Sequence, residues 1–117
     1  MFEYKAKLLR IVDGDTIDAL VDLGFDTWKK VRIRMMGMNA PESRTRDLEE
    51  KKRGLAAKDR LGEILSLENE NFFILKSHGV GKYGRCLGEI FVEESKISVN
   101  QTMINEGHAV EYFGGKR

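Results

Sequence analysis

Asp13-Gly14-Asp15-Thr16 sets two carboxylates one residue apart around a glycine. Both can turn toward one point and hold a hard cation through oxygen. The same residues also make an ordinary turn in which each aspartate caps its own backbone. An EF-hand loop is excluded, because its fifth position falls on Ile17 and no glutamate stands at its twelfth. A second group combines Arg34 with Asn39-Ala40-Pro41-Glu42. Arginine offers a planar fork to phosphate, and a carboxylate nearby can orient or deprotonate a water. Pro41 stiffens the loop and fixes where Glu42 points. The plain alternative is a surface ion pair, worth about 0–1 kcal/mol. A third group is Lys82-Tyr83-Gly84-Arg85. Its cations suit a phosphate and its ring suits a stacked base or sugar, while a hairpin with Tyr83 on a barrel rim explains it equally well.

Other candidates read mainly as structure. Cys86 is the single cysteine, which rules out an intrachain disulfide and a Cys-rich zinc site; on a strand it reads as a small buried hydrophobe. His78 and His108 lack spaced partners for a metal. Met35, Met36 and Met38 read as core filling, and so does Trp28. Tyr112 and Phe113 fit base stacking and packing alike.

These groups need elements that position them. Phe2 to Val12 is β-like, and Thr16 to Leu23 alternates, with Ile17, Ala19, Val21 and Leu23 on one face. Trp28 to Met36 alternates again, with Val31, Ile33 and Met35 inward and Arg32 and Arg34 outward. Leu48, Leu55, Leu61, Ile64 and Leu65 recur at helical spacing, which predicts a helix over Glu49 to Leu65. Gly54 interrupts it and marks where close packing starts. Phe72 to Lys76 reads as a strand, His78 to Tyr83 as a glycine-rich loop, and Arg85 to Val92 as a further strand. Ser98-Val99-Asn100-Gln101 fits a capping box for a helix stopping at Gly107. The order β-β-β-α-β-β-α predicts an α+β, mainly β chain. That is the order of a five-stranded OB-fold barrel with a helix between strands 3 and 4 and a C-terminal helix, which is the expected architecture. An SH3-like barrel with an inserted helix and an open α+β sheet fit the same order.

The 117 residues suit one domain over residues 1–117. With 41% hydrophobic and 33% charged residues, the composition excludes disorder. Net charge is +1, but residues 1–28 carry −3, residues 29–60 carry +6 and residues 61–117 carry −2. An acidic segment folded against a basic one suits a cation and a phosphate side by side. No run reaches the ~20 apolar residues of a membrane span, so no membrane partner is expected. With charges at Glu3, Lys5, Lys7 and Arg10 and no long apolar stretch, no secretory signal is visible from Met1 to Val12. A cytoplasmic address is expected, although a mature secreted form would look the same.

Taken together, the motifs are more specific than any one of them. Ile11-Val12-Asp13-Gly14-Asp15-Thr16, Val31-Arg32-Ile33-Arg34 through Pro41-Glu42, Tyr83-Gly84-Arg85, and Val99-Asn100 with Gly107-His108-Ala109 span nearly the whole chain. Their order and spacing resemble the staphylococcal nuclease (thermonuclease-like) family. The resemblance implies a calcium-dependent phosphodiesterase acting on DNA, RNA or both; separately, a monomer is expected. It implies Asp15, Asn39 and the Ala40 carbonyl as oxygens around Ca²⁺, with Asp13 behind them. Glu42 would orient or deprotonate the attacking water, and Arg34 and Arg85 would bind the scissile phosphate. Lys82, Tyr83, Tyr112 and Phe113 would contact neighbouring parts of the substrate. The chain departs from the family where Asn39 replaces a carboxylate, Ala40 a threonine and Phe113 a tyrosine. Rival readings are a catalytically silent module of this fold and a plain single-strand binder. The silent module is disfavoured by Arg34, Glu42 and Arg85. The single-strand binder is disfavoured by the few aromatics expected on the surface.

Overall fold

Alternation of apolar and polar side chains builds the barrel. A computed structural model describes residues 2–66, 72–80, 86–92 and 96–112. Its elements are β1 (Phe2–Asp13), β2 (Thr16–Asp22), β3 (Trp28–Met35), β4 (Met38–Asn39), α1 (Leu48–Ser66), β5 (Phe72–Val80), β6 (Cys86–Phe91), α2 (Val99–Asn105) and β7 (Val110–Glu111). Five strands close in the order β1-β2-β3-β6-β5. All neighbours run antiparallel except β3 and β6, which run parallel from Ile33↔Cys86 to Met35↔Gly88. Closure removes the open edges a flat sheet would expose. Ile17, Ala19, Ile33, Met35, Leu75 and Ile90 fill the interior. This is the expected OB-type barrel, with α1 between its third and fourth strands. No helix among the described residues is long and apolar enough to cross a membrane.

Several local expectations change. Trp28 is not core: it is 42% exposed at the start of β3, beyond the barrel interior. Leu23 lies past the end of β2 and is exposed, as are Leu48 and Leu55 on the solvent side of α1. His78 is not in a loop, because β5 runs on to Val80 and the ring bonds the Glu89 carboxylate at 2.8 Å. A two-stranded ribbon of β4 and β7, joining Met38↔Glu111 and Asn39↔Val110, has no expected counterpart. Two-residue strands leave no periodicity to read.

Both helices are capped. The Asp47 carboxylate accepts the Glu49 and Glu50 amides at 3.1 and 3.3 Å. Ser98 caps α2 as expected, its Oγ accepting the Gln101 amide at 3.0 Å. The Gln101 side chain does not close a reciprocal box; it donates to Asn105. Arg60 of α1 donates to both Glu106 oxygens at the end of α2, which holds the Glu106 carboxyl below the usual carboxylate range.

α1 buries Ala57, Leu61 and Leu65 completely. Two glycines allow its close approach. A Cβ at Gly54 would stand 2.3 Å from the Glu42 carbonyl oxygen and 2.7 Å from the Ser43 nitrogen. A Cβ at Gly14 would stand 2.7 Å from Cβ of Ala57 and 3.0 Å from Cβ of Ala40. The β1–β2 turn, the 40–43 loop and the helix therefore meet without intervening side chains. Gly62, on the same helix, would place a Cβ in open space.

On the outer face, Arg32 donates to both Asp18 oxygens at 2.8 and 3.2 Å. Asp18 is 6% exposed. Arg32's hydrogen bonds hold the Asp18 carboxyl below its ordinary range against the opposing effect of burial, and the nearby charges of Arg32, Lys30 and Arg10 add to this.

Three substitutions test these contacts. Gly62→Ala should raise stability by about 0.5–1 kcal/mol, since alanine favours helix and meets nothing there. Gly54→Ala should lower it by about 1–3 kcal/mol, because overpacking against backbone outweighs the same helical gain. Urea denaturation of both variants checks the opposite signs. Asp18, with its folded value depressed, adds stability above the ordinary carboxylate range and loses it as pH falls through that lower value. Asp18→Asn should therefore cost about 1–2 kcal/mol at neutral pH, discounted for the half-exposed Arg32. The difference from the parent should shrink as pH falls below about 4 and vanish only below the depressed folded value. A difference independent of pH would show that the Asp18 charge contributes nothing.

Candidate active site

The β1–β2 turn brings Asp15 to the end of the barrel. Its backbone oxygen accepts the Met35 amide at 2.8 Å, which fixes the turn to the end of β3. Its side chain is buried, and each oxygen is engaged. Oδ1 accepts the Thr16 hydroxyl at 3.0 Å, and Oδ2 accepts the Ala40 amide at 2.9 Å. Asp13 sits beside it and accepts both the amide and the hydroxyl of Ser43 through Oδ1. The two aspartates thus each hold one end of the 40–43 loop.

Arg34 follows from the register of β3. It pairs with Thr16 across the β2–β3 ladder and points outward, opposite Ile33 and Met35. Its guanidinium bends over the chain that follows. Nη1 donates to the carbonyls of Met35 and Met38 at 2.9 and 3.0 Å. Nη2 donates to Asn39 Oδ1 at 3.2 Å and stands 3.6 Å from Asp15 Oδ2. Arginine at this position fastens the turn between β3 and β4 as well as placing charge. Its Nε–H has no partner among the described residues.

Asp13, Asp15, Arg34, Asn39, Ala40, Glu42 and Tyr112 share one cleft of about 310 Å³ with Thr16. Seven of the expected site residues are thereby brought together. Glu42 is exposed, and its carboxylate has no hydrogen-bond partner among the described residues. Tyr112 is held by its amide, which donates to the Gly37 carbonyl at 3.0 Å just past β7. Lys82, Tyr83, Arg85 and Phe113 lie outside the described residues. Arg85 directly precedes Cys86, which stands in register with Ile33, the neighbour of Arg34.

Sequence reasoning gave Asn100 no structural task, yet it anchors the site. It is 4% exposed. Its Nδ2 donates to the Met36 and Gly88 carbonyls at 2.8 and 3.1 Å, and its Oδ1 accepts the Ile90 amide at 3.1 Å. Met36 in turn donates its amide to Gly88. Asn100 thus ties α2 to β6 and to the turn that Arg34 grips. The signal was an asparagine in the first turn of a short helix beside the buried Val99, where only a fully bonded amide is tolerated.

The cleft can concentrate charge of both signs. Its lining offers three carboxylates, one amide and one guanidinium, and no sulfur or imidazole. Such oxygen donors suit a hard cation. Among the described residues no three carboxylate, histidine or cysteine side chains converge on one metal position. A carboxylate presents about four acceptor directions, so two hydrogen bonds leave Asp15 able to bind an ion. The neutral Asn39 and the adjacent Arg34 keep the site's negative charge low.

A model of the family described as staphylococcal nuclease homologue matches residues 32–117. The chain is 32% identical over 122 residues to Protein ParB of Escherichia coli, covering 97% of this chain and 61% of that protein. It is 28% identical over 117 residues to a micrococcal nuclease of Shigella flexneri, covering 94% of this chain and 59% of that one. It is 31% identical over 116 residues to Endonuclease YhcR of Bacillus subtilis, covering 95% of this chain and 9% of that protein. The family match takes in the end of β3, both helices, β5 and β6, together with Arg34, Asn39 and Glu42. On that match the chain belongs to the family of staphylococcal nuclease homologues.

Proposed function

We propose that the chain hydrolyses phosphodiester bonds of DNA and RNA in this cleft, with Ca²⁺ held beside Asp15. One observation carries the reading. A buried carboxylate, a guanidinium 3.6 Å from it and an exposed carboxylate with no partner among the described residues line the same space. The names of two relatives, a micrococcal nuclease and an endonuclease, agree with it.

Asp15, Asn39 and the Ala40 carbonyl would hold the ion, with Asp13 steadying the loop behind them. When bound, Ca²⁺ supplies positive charge beside the phosphate. Arg34 presents its Nε edge, which has no partner among the described residues, to a phosphate oxygen. Its other donors stay on the Met35 and Met38 carbonyls and Asn39, so the guanidinium is oriented before substrate arrives. Glu42 takes a proton from the attacking water, which an exposed carboxylate without a competing donor among the described residues can do. The rigid Pro41 and the contact of Gly54 with the Glu42 backbone fix where that carboxylate stands. Arg85 adds a second cation to the phosphate, as the motif implies, and Lys82, Tyr83, Tyr112 and Phe113 contact the flanking nucleotide.

Purified protein should degrade single-stranded DNA and RNA with Ca²⁺ and spare both in excess chelator. Undiminished cleavage in chelator would remove the ion from the reaction. Replacing Arg34 tests its fork rather than its charge. Arg34→Lys keeps the charge but cannot hold three acceptors of the turn and a phosphate at once. Turnover should fall by about 10²-fold or more, as on losing one preorganised donor to a transition-state oxygen. Near-parental turnover in Arg34→Lys would reduce Arg34 to a point charge.

A further inference from the structure

The outward row of β3 continues away from the cleft. Trp28, Lys30, Arg32 and Arg34 alternate along the strand and share one face, since their partners across the β2 ladder are Asp22, Leu20, Asp18 and Thr16. Successive outward positions are about 6–7 Å apart, so the row runs about 20 Å from Arg34 to Trp28. On β1, Arg10 stands opposite Asp18 and Lys7 opposite Leu20, which puts both on the same face. Arg10, Lys7, Lys30 and Arg32 are exposed. Arg10 and Lys30 have no hydrogen-bond or ion-pair partner among the described residues. Asp18 is already taken by Arg32, and Asp22 accepts the Gly24 amide. Beyond Trp28, the hairpin tip also exposes Phe25 fully, with its backbone at φ 54°.

We propose that this face is a track for single-stranded nucleic acid leading out of the catalytic cleft, with Arg32, Lys30 and Arg10 on successive phosphates and Trp28 stacking a base at its far end. The inference rests on the nuclease reading of the cleft but adds a binding surface to it. Three observations select the occupant. The cations outnumber the carboxylates on the face, so it suits a polyanion. The row begins at Arg34 and is continuous with the cleft, so the polyanion is the substrate itself. An aromatic ring left 42% exposed at the end of a row of cations is the combination single-strand sites use, because every base presents a π-face. A duplex offers no unpaired base to Trp28.

Trp28 is the sole tryptophan, so its fluorescence reports on the track alone. The protein is titrated in chelator with fluorescently end-labelled oligothymidylates of two and eight nucleotides and with an eight-base-pair duplex. Label anisotropy reports binding. The octamer should bind and quench Trp28 saturably, while the dinucleotide, too short for the row, and the duplex should not quench. The Arg10→Gln/Lys30→Gln double variant should weaken octamer binding about tenfold at low salt and flatten its salt dependence by about two phosphate contacts. Absence of octamer binding, octamer binding without quenching, or equal quenching by dinucleotide or duplex would overturn the track. None of these readings needs cleavage. Hydrolysis without quenching would leave the cleft and remove the track, whereas quenching without hydrolysis would leave the track and remove the nuclease reading.

Discussion

The hydrogen bond from the Ala40 amide to the Asp15 carboxylate is the contact on which the site depends. It joins the β1–β2 turn to a loop 25 residues away in sequence. A buried carboxylate is costly unless its lone pairs are met. Asp15 meets that demand with the Thr16 hydroxyl, the Ala40 amide and the nearby Arg34 guanidinium, and its own backbone oxygen takes the Met35 amide. Each partner is a residue the cleft needs in place. Among the described residues no buried side-chain nitrogen or oxygen is left without a partner. Satisfying one buried charge therefore assembles the cleft, whether or not an ion is bound.

The helix reinforces the same arrangement through close contact. α1 reaches the loop backbone at Gly54 and the turn at Gly14, with Ala57 and Ala40 between them. Small residues at four neighbouring points let three separate segments touch directly. Asn100 does the corresponding work on the other side, holding α2 against β6 and the turn after β3. The cleft is braced from both helices, by steric contact on one side and by hydrogen bonds on the other.

The barrel was legible because its signal is local. Ile17, Ala19, Val21, Ile33 and Met35 alternate with polar residues, and a two-residue period survives any tertiary context. The cleft was legible because Asp13, Asp15, Arg34, Asn39 and Glu42 sit in short, ordered motifs. What escaped were features decided by distant packing. Trp28 carries a large apolar ring, which argues for burial, but strand register places it outward opposite Asp22. Leu48 and Leu55 keep helical spacing yet lie on the solvent side, because glycine and alanine, not leucine, form the contact surface near the start of α1. The β4–β7 ribbon joins residues more than 70 positions apart through two pairs, and no local pattern announces such a pairing. The part of Arg34 in fastening the turn was equally hidden, since its acceptors are backbone carbonyls that any sequence would supply.

Asp18 shows how a cationic face can fold before any anion reaches it. Arg10, Lys30 and Arg32 stand close enough to Asp18 to stabilise its charge. Placed together with no counter-charge, the three would repel one another across the sheet. A single buried carboxylate among them relieves that repulsion and, through two hydrogen bonds, orders Arg32 in one orientation. One negative charge cannot neutralise three positive ones, so the face stays attractive to a polyanion. A second acidic partner, placed to pair with Lys30 or Arg10, would make the barrel easier to fold and the face less able to bind. The chain instead leaves those two cations unpartnered among its described residues, and the ordering of Arg32 is obtained from the same carboxylate that makes the cluster tolerable.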